Sequence, residues 1–130
     1  MRGQLSSEYL LLIVFVVVIV SLFMIDVARD AEITVAIAAT RLACSEYSNT
    51  VDSEVYCTTI SYSINGTNFT VSPHLYNYRG IRVVPLPASS FNERVIQEIR
   101  GSITNNRSVS CTNCVDCSIG HYYYCVDASV

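Results

Sequence analysis

Residues 9–25 read YLLLIVFVVVIVSLFMI, and this stretch decides the architecture of the chain. It carries no charge, and Ser21 is its one plainly polar residue. As a helix rising ~1.5 Å per residue it covers ~25 Å, just short of the hydrocarbon core of a bilayer. We call residues 9–25 the apolar segment, and it requires a membrane or an equally apolar core.

The residues after the apolar segment predict that the same helix continues. Residues 26–43 contain no Gly or Pro, and Glu32 falls largely outside an apolar stripe with three- and four-residue steps. That stripe consists of Ala28, Ala31, Val35, Ala38, Ala39 and Leu42. We therefore expect one helix from about Leu5 to about Ala43, apolar all round in its first half and amphipathic in its second.

Beyond Cys44 the composition changes to Ser, Thr, Asn, Val and Tyr, with the period-two alternation of β-strands. Val55, Cys57, Thr59 and Ser61 are expected on one face, and Tyr56, Thr58, Ile60, Tyr62 and Ile64 on the other. The Asn65-Gly66 turn then returns the chain through Phe69 and Val71, which predicts a β-hairpin.

The remaining elements follow from shorter patterns. Residues 81–86 predict a strand. Pro85 and Pro87 restrict its end to the edge of a sheet or to the point where the chain leaves the sheet. Ser90 and Glu93 form a capping box for a short helix that ends at Gly101. Residues 103–110 and 122–128 predict two further strands. The fold class is therefore α+β: a long N-terminal hydrophobic helix followed by a small, disulfide-bonded, β-rich domain.

Cysteines and sequons indicate the compartment of the β-rich domain. All six cysteines follow the apolar segment, and three acceptor sequons begin at Asn65, Asn68 and Asn106. An even number of cysteines together with glycosylation sequons fits an oxidising, extracytoplasmic compartment. The sequons equally fit unmodified surface turns.

A disulfide between Cys44 and Cys57 is expected to close the helix end onto the first strand. The other four cysteines, Cys111, Cys114, Cys117 and Cys125, pair among themselves in an unresolved order. Their CxxCxxC spacing also resembles a metal or iron–sulfur site. On the outside of a cell disulfides are the better interpretation, so we expect no metal and no cofactor.

Composition argues against two further classes of function. The net charge is −3 and all eight basic residues are Arg, without a basic cluster, which argues against nucleic-acid binding. His74 and His121 lie in Tyr-rich β contexts, and no nucleophile triad or Gly-rich phosphate loop accompanies them. We therefore expect no catalytic residues and no enzyme activity.

Charge around the apolar segment predicts its orientation. Arg2 is the only basic residue before it, whereas the residues that follow are mixed in sign, so the N-terminus is expected in the cytoplasm. No Ala-x-Ala-like site for a secretory signal peptidase appears after residues 23–26. The β-rich domain is therefore expected outside the cell.

The residues before the apolar segment resemble a known signal. Arg2-Gly3-Gln4-Leu5-Ser6-Ser7-Glu8-Tyr9 is similar to the class III signal peptide of archaeal type IV pilin-like proteins. The positions that match are Gly3, Gln4, Ser6, Glu8 and Tyr9, together with the apolar segment. The resemblance covers about the first quarter of the chain.

This resemblance implies both a processing step and an assembly. A prepilin peptidase would cut between Gly3 and Gln4, and Glu8 would pair with the new N-terminal amine of Gln4 in a neighbouring copy. The implied protein is a membrane precursor that becomes a subunit of an adhesive, extracellular filament, built by an assembly ATPase and a membrane platform.

The implied domains are a leader (1–3), a long helix (4–43) with the apolar segment in the membrane or filament core, and an outer β-rich domain (44–130). The alternative is a minor pilin or a single-span surface protein whose β-rich domain binds a ligand without bulk polymerisation.

Overall fold

The computed structural model describes residues 2–50, 54–85, 87–107 and 117–129, with side chains from Ser6 onward. A first helix, α1, covers Arg2–Thr50, so it extends beyond the end predicted near Ala43. Internal contacts divide the chain into Met1–Ala31 and Glu32–Val130. We call Glu32–Val130 the head, and it includes the C-terminal part of α1.

Inside the head, Ala39 is the one residue of the predicted apolar stripe that α1 buries. Val35, Ala38 and Leu42 are exposed, and Leu42 is 51% exposed. The buried residues step along α1 as Glu32, Ala36, Ala39, Thr40, Ala43, Cys44 and Tyr47. The two polar members, Glu32 and Thr40, are hydrogen-bonded, which compensates for their burial.

The predicted hairpin is confirmed as strands β1, Val55–Asn65, and β2, Asn68–Asn77, which pair antiparallel. Gly66 opens the two-residue turn with a φ of 62°, a conformation that glycine adopts without steric cost. Three shorter strands complete the sheet: β3, Arg82–Val83; β4, Ser118–Ile119; and β5, Tyr122–Val126. Among the described residues the five strands form one sheet in the order β1-β2-β5-β4, with β3 also paired to β2. β1 is therefore an edge strand.

A bulge in β1 overturns the simple alternation predicted for it. Cys57 pairs with Leu75, but Thr59 pairs with His74, so the register shifts between Cys57 and Thr59. Cys57 thus shares a face with Ile60, Tyr62 and Ile64, because a bulge places one extra residue in the strand. These side chains lie on the same face of the sheet as the buried side chains of β2, which are Phe69, Val71, Pro73 and Leu75.

The other strands are shorter than predicted. β3 is Arg82–Val83, and β5 is Tyr122–Val126 within the predicted 122–128. A short strand that the sequence did not indicate, β4 at Ser118–Ile119, pairs antiparallel with β5. β5 itself runs parallel to β2, with Phe69 opposite Tyr124. Leu86, at the end of the strand predicted over 81–86, lies outside the described residues.

The second helix, α2, covers Ala88–Thr104 and is longer than the capping box predicts. Pro87 is the N-cap, no side chain caps the helix, and the Ser90 hydroxyl instead donates to the Pro87 carbonyl at 3.0 Å. Gly101 lies inside the helix, where a Cβ would come within 2.6 Å of the Arg107 side chain. The prediction of a strand over residues 103–110 is wrong at Ile103 and Thr104, which are helical. Residues 108–110 lie outside the described residues.

The core of the head lies between the sheet and the two helices. Tyr47 of α1 meets Phe91 of α2 edge to face at 5.1 Å. The ring of Phe69 lies 5.2 Å from that of Tyr124, and both residues are fully buried. A long N-terminal helix followed by a small β-sheet domain confirms the predicted α+β class.

A disulfide joins Cys44 of α1 to Cys57 of β1, the pair expected from the sequence. The bond closes a loop with a sequence separation of 13, which in the chain-entropy model stabilises the head by about 3 kcal/mol. Cys117 and Cys125 are also disulfide-bonded. Cys111 and Cys114 lie outside the described residues, and among the described cysteines none is free.

Candidate functional site

The apolar segment is exposed along its length in the single chain. Apart from Ile19, its large apolar side chains are between 46% exposed, at Ile13, and 71% exposed, at Leu11. The mean hydropathy of its most apolar window is 3.2, with none of that window buried. A helix that packed into the core of a soluble protein would be mostly buried, so this helix has the character of a membrane anchor or a signal sequence.

The residues that the pilin resemblance singles out lie at the start of α1. Gly3 and Gln4 are in the first turn of the helix, and Glu8 is exposed immediately before the apolar segment. Glu8 forms no ion pair with another residue in the described part of the chain.

The hairpin carries two of the predicted glycosylation sites. Asn65 ends β1 and Asn68 begins β2, and both are exposed on either side of the turn. Asn106, the third, is exposed just after α2. All three positions are accessible for modification, and their glycosylation stays a prediction.

A second arrangement of polar groups, which the sequence did not indicate, lies inside the head around Glu32. Glu32 is only 8% exposed, and its carboxylate accepts the backbone N–H of His121 at 3.0 and 3.1 Å. The Nδ1 atom of His121 lies 2.7 Å from Oε2, and the Tyr124 hydroxyl donates to Oε1 at 2.8 Å. We call Glu32, His121 and Tyr124 the carboxylate cluster.

The turn between β4 and β5 is shaped to fit this carboxylate. Gly120 has a φ of 61°, and a Cβ there would lie 2.6 Å from Oε1 of Glu32. Both the backbone conformation and the close approach therefore require glycine. The cluster fixes the β4–β5 turn to α1, a role in organising the head.

Sequence reasoning missed this cluster because its members are remote along the chain. Glu32 falls largely outside the predicted apolar stripe and His121 lies in a Tyr-rich β context, so neither position indicates the other. A usable signal was the position of Glu32, which lies four residues before Ala36 and in phase with Ala39, Ala43 and Tyr47.

The carboxylate cluster makes the head sensitive to alkaline pH. Burial, followed by the hydrogen bond and negative charge of Glu32, raises the pKa of Tyr124. A raised pKa in the folded state preserves stability below the pKa of an unfolded tyrosine, about 10, and stability is lost as pH rises above it.

We therefore expect the Tyr124→Phe variant to lose part of this pH dependence. Between pH 10 and 11, Tyr124 contributes a fall of up to about 1.4 kcal/mol in the free energy of unfolding of the native protein. The variant is less stable at pH 7 by about 1 kcal/mol, and its deficit shrinks above pH 10. Denaturant melts of the full chain in mild detergent, followed by near-ultraviolet circular dichroism, measure this. Tyr78→Phe, at a side chain 64% exposed, is the matched control, and a deficit for Tyr124→Phe that stays constant to pH 11 would contradict the prediction.

The head also contains a cleft of about 410 Å³ between α1 and β1. Its polar side chains come from both elements and include Arg41 and Asn49 of the helix and Tyr56 of the strand. The Cys44–Cys57 disulfide joins the two walls. The full lining is Arg41, Cys44, Ser45, Ser48, Asn49, Tyr56, Cys57, Thr58 and Ile60.

Within the described residues, no group of three or more His, Cys, Asp or Glu side chains is placed to hold a metal ion. The CxxCxxC pattern extends outside those residues at Cys111 and Cys114. No protein family, curated protein or solved structure matches the chain. Fold and side-chain geometry therefore carry the functional argument.

Proposed function

We propose that this chain is the structural subunit of an adhesive, extracellular type IV pilus-like filament. The observation that carries the proposal is the exposed apolar segment with Glu8 placed immediately before it. Such a helix is stable in lipid before assembly and among copies of itself afterwards.

The free energy of moving the apolar segment from lipid into a filament depends more on packing than on the hydrophobic effect. Burying the apolar segment from water is worth ~25 cal/mol for each Å² of apolar surface, but lipid and neighbouring helices offer nearly the same environment. The gain on assembly must therefore come from close packing and from polar pairs within the core. Glu8 is the ionisable group that would form such a pair, with the α-amine of Gln4 in a neighbouring copy.

Part of the head also supports contacts between copies. Val35 and Leu42, on the exposed side of α1, are 36% and 51% exposed and lie seven residues apart, two helical turns. Apolar side chains on this spacing form a surface on the head that neighbouring copies would cover.

The pilin resemblance supplies the partners of this proposal. A prepilin peptidase cuts between Gly3 and Gln4, and an assembly ATPase with a membrane platform moves the processed chain from the membrane into the filament. The chain then belongs first to the membrane and then to the cell surface. The disulfide-bonded head fits this extracytoplasmic destination.

A second candidate is a minor pilin or a single-span surface protein that does not polymerise in bulk. The cleft lined by Arg41 and Tyr56 favours it, because a ligand-binding head needs a concave polar site. The two candidates differ in abundance: a major subunit is the main component of purified filaments, and a ligand-binding single-span protein stays in the membrane fraction.

Processing provides the direct test. We expect filaments sheared from cells to consist mainly of this chain, with an intact-mass N-terminus at Gln4. Gly3→Leu is expected to leave a precursor that keeps residues 1–3 and remains in the membrane, because the side chain blocks the cut. Leu11→Ile, a conservative change within the apolar segment, should be processed normally. A mature N-terminus at another residue, or filaments made of a different protein, would refute the proposal.

A further inference from the structure

The geometry of the cleft between α1 and β1 points to a binding site for an acidic saccharide, a sugar bearing a hexuronic carboxylate. The inference goes beyond filament formation and holds for either candidate function, since the cleft lies wholly within the head.

The walls of the cleft belong to two different elements, which a disulfide joins. The helical wall, residues 41–49, presents side chains at three- and four-residue steps, which lie on one side of a helix. The other wall is the bulged part of β1, where the register shift between Cys57 and Thr59 redirects the side chains. Because the Cys44–Cys57 bond joins the walls, little ordering is needed when a ligand binds.

The charge of the lining selects an anion. Arg41 is the one charged side chain among the lining residues, and no carboxylate accompanies it there. Arg41 makes no hydrogen bond or ion pair with any other described residue. Its guanidinium fork is therefore available for two parallel hydrogen bonds to a carboxylate.

The hydroxyl and amide groups of the helical wall are also available. Elsewhere in α1 the hydroxyls of Ser21, Thr40 and Thr50 donate to the carbonyl four residues earlier, at 2.7 to 2.8 Å. Ser45 and Ser48 do not, and neither they nor Asn49 makes a side-chain hydrogen bond to another described residue. Three adjacent polar groups without partners among the described residues match the closely spaced hydroxyls of a sugar ring.

Tyr56 adds an exposed aromatic residue to the lining of the cleft. It is 41% exposed, and its ring makes no aromatic pair with another described residue. An exposed tyrosine offers an apolar face for the C–H side of a pyranose and a hydroxyl for a hydrogen bond. The cleft volume of about 410 Å³ lies in the lower part of the range for ligand sites and suits one or two sugar rings.

The test is calorimetric titration of the full chain in detergent micelles with galacturonic acid and its disaccharide. Galactose, which lacks the carboxylate, is the matched neutral ligand. We expect the uronic sugars to bind and galactose to bind at least tenfold more weakly, since a charge-assisted pair with Arg41 is lost. Absence of binding by the uronic sugars at millimolar concentration, or equal binding of galactose, would overturn the proposal.

Variants locate the binding in the cleft. Arg41→Gln is expected to reduce uronate affinity at least tenfold, and Arg79→Gln, at an exposed arginine outside the cleft, to leave it unchanged. Tyr56→Ala should weaken both classes of sugar, whereas Tyr56→Phe should retain most of the affinity. Since these side chains are exposed, unchanged melting curves will show that the variants fold. Equal losses in Arg41→Gln and Arg79→Gln would show a general charge effect and refute the site.

Discussion

Cells that express the Glu8→Ala variant are expected to lose their surface filaments while the processed chain accumulates in the membrane. In the proposed assembly, the α-amine of Gln4 from one copy is buried beside Glu8 of another. Removing the carboxylate leaves that amine charged and without a partner in an apolar core. Removing one member of a buried ion pair typically costs ~3 to 5 kcal/mol, a factor of more than 100 in association for each contact.

The control variants separate assembly from other roles of the residue. Glu8→Asp keeps the charge on a shorter side chain, and we expect it to form fewer filaments than the native protein but more than Glu8→Ala. Glu93→Ala removes an exposed glutamate from α2 and should leave filament number unchanged. Filaments are counted by electron microscopy, and the N-terminus of the membrane-held chain is measured by mass spectrometry. Filaments in normal number on Glu8→Ala cells would argue against the role of Glu8.

How far the sequence predicts the structure depends on how local each signal is. The apolar segment and the β-hairpin follow from side-chain patterns among near neighbours, and both are present. The bulge in β1 was missed because strict alternation through Thr58 looked consistent by itself. Only the tertiary requirement that Cys57 reach Cys44 in α1, while Ile60 and Tyr62 stay on the same face, selects the shifted register.

The functional residues differ in the same way in how far local sequence predicts them. Gly3, Gln4 and Glu8 were identified from a contiguous motif, and their roles remain predictions that only an assembled filament can test. The cleft depends on Arg41 and Tyr56 converging from two elements, which no local pattern describes. The face of α1 that is buried in the head was wrongly predicted, because counting apolar residues favours Val35 and Leu42 over Ala36 and Thr40.

Glu32→Ala is expected to cause the largest loss of stability within the head. The carboxylate serves donors that are 89 and 92 residues away, and through them it connects α1 to β5 and the preceding turn. Without it, the fully buried Tyr124 hydroxyl and the backbone N–H of His121 lose their acceptor. Each unsatisfied group costs ~1 to 3 kcal/mol and the cavity adds to this, so we expect a loss of about 3 to 5 kcal/mol.

Circular dichroism melts of the full chain in detergent should show a fall in the Tm of the head by more than about 10 °C. Glu46→Ala, at an exposed glutamate on the same helix, is the matched control and should melt within about 2 °C of the native protein.

The double variant Glu32→Ala with Tyr124→Phe distinguishes a lost hydrogen bond from lost volume, because Phe has no hydroxyl that needs an acceptor. It should recover about 1 kcal/mol relative to the sum of the two single losses. Strict additivity of the two losses would contradict a stabilising hydrogen bond between the Tyr124 hydroxyl and the Glu32 carboxylate, which lie 2.8 Å apart.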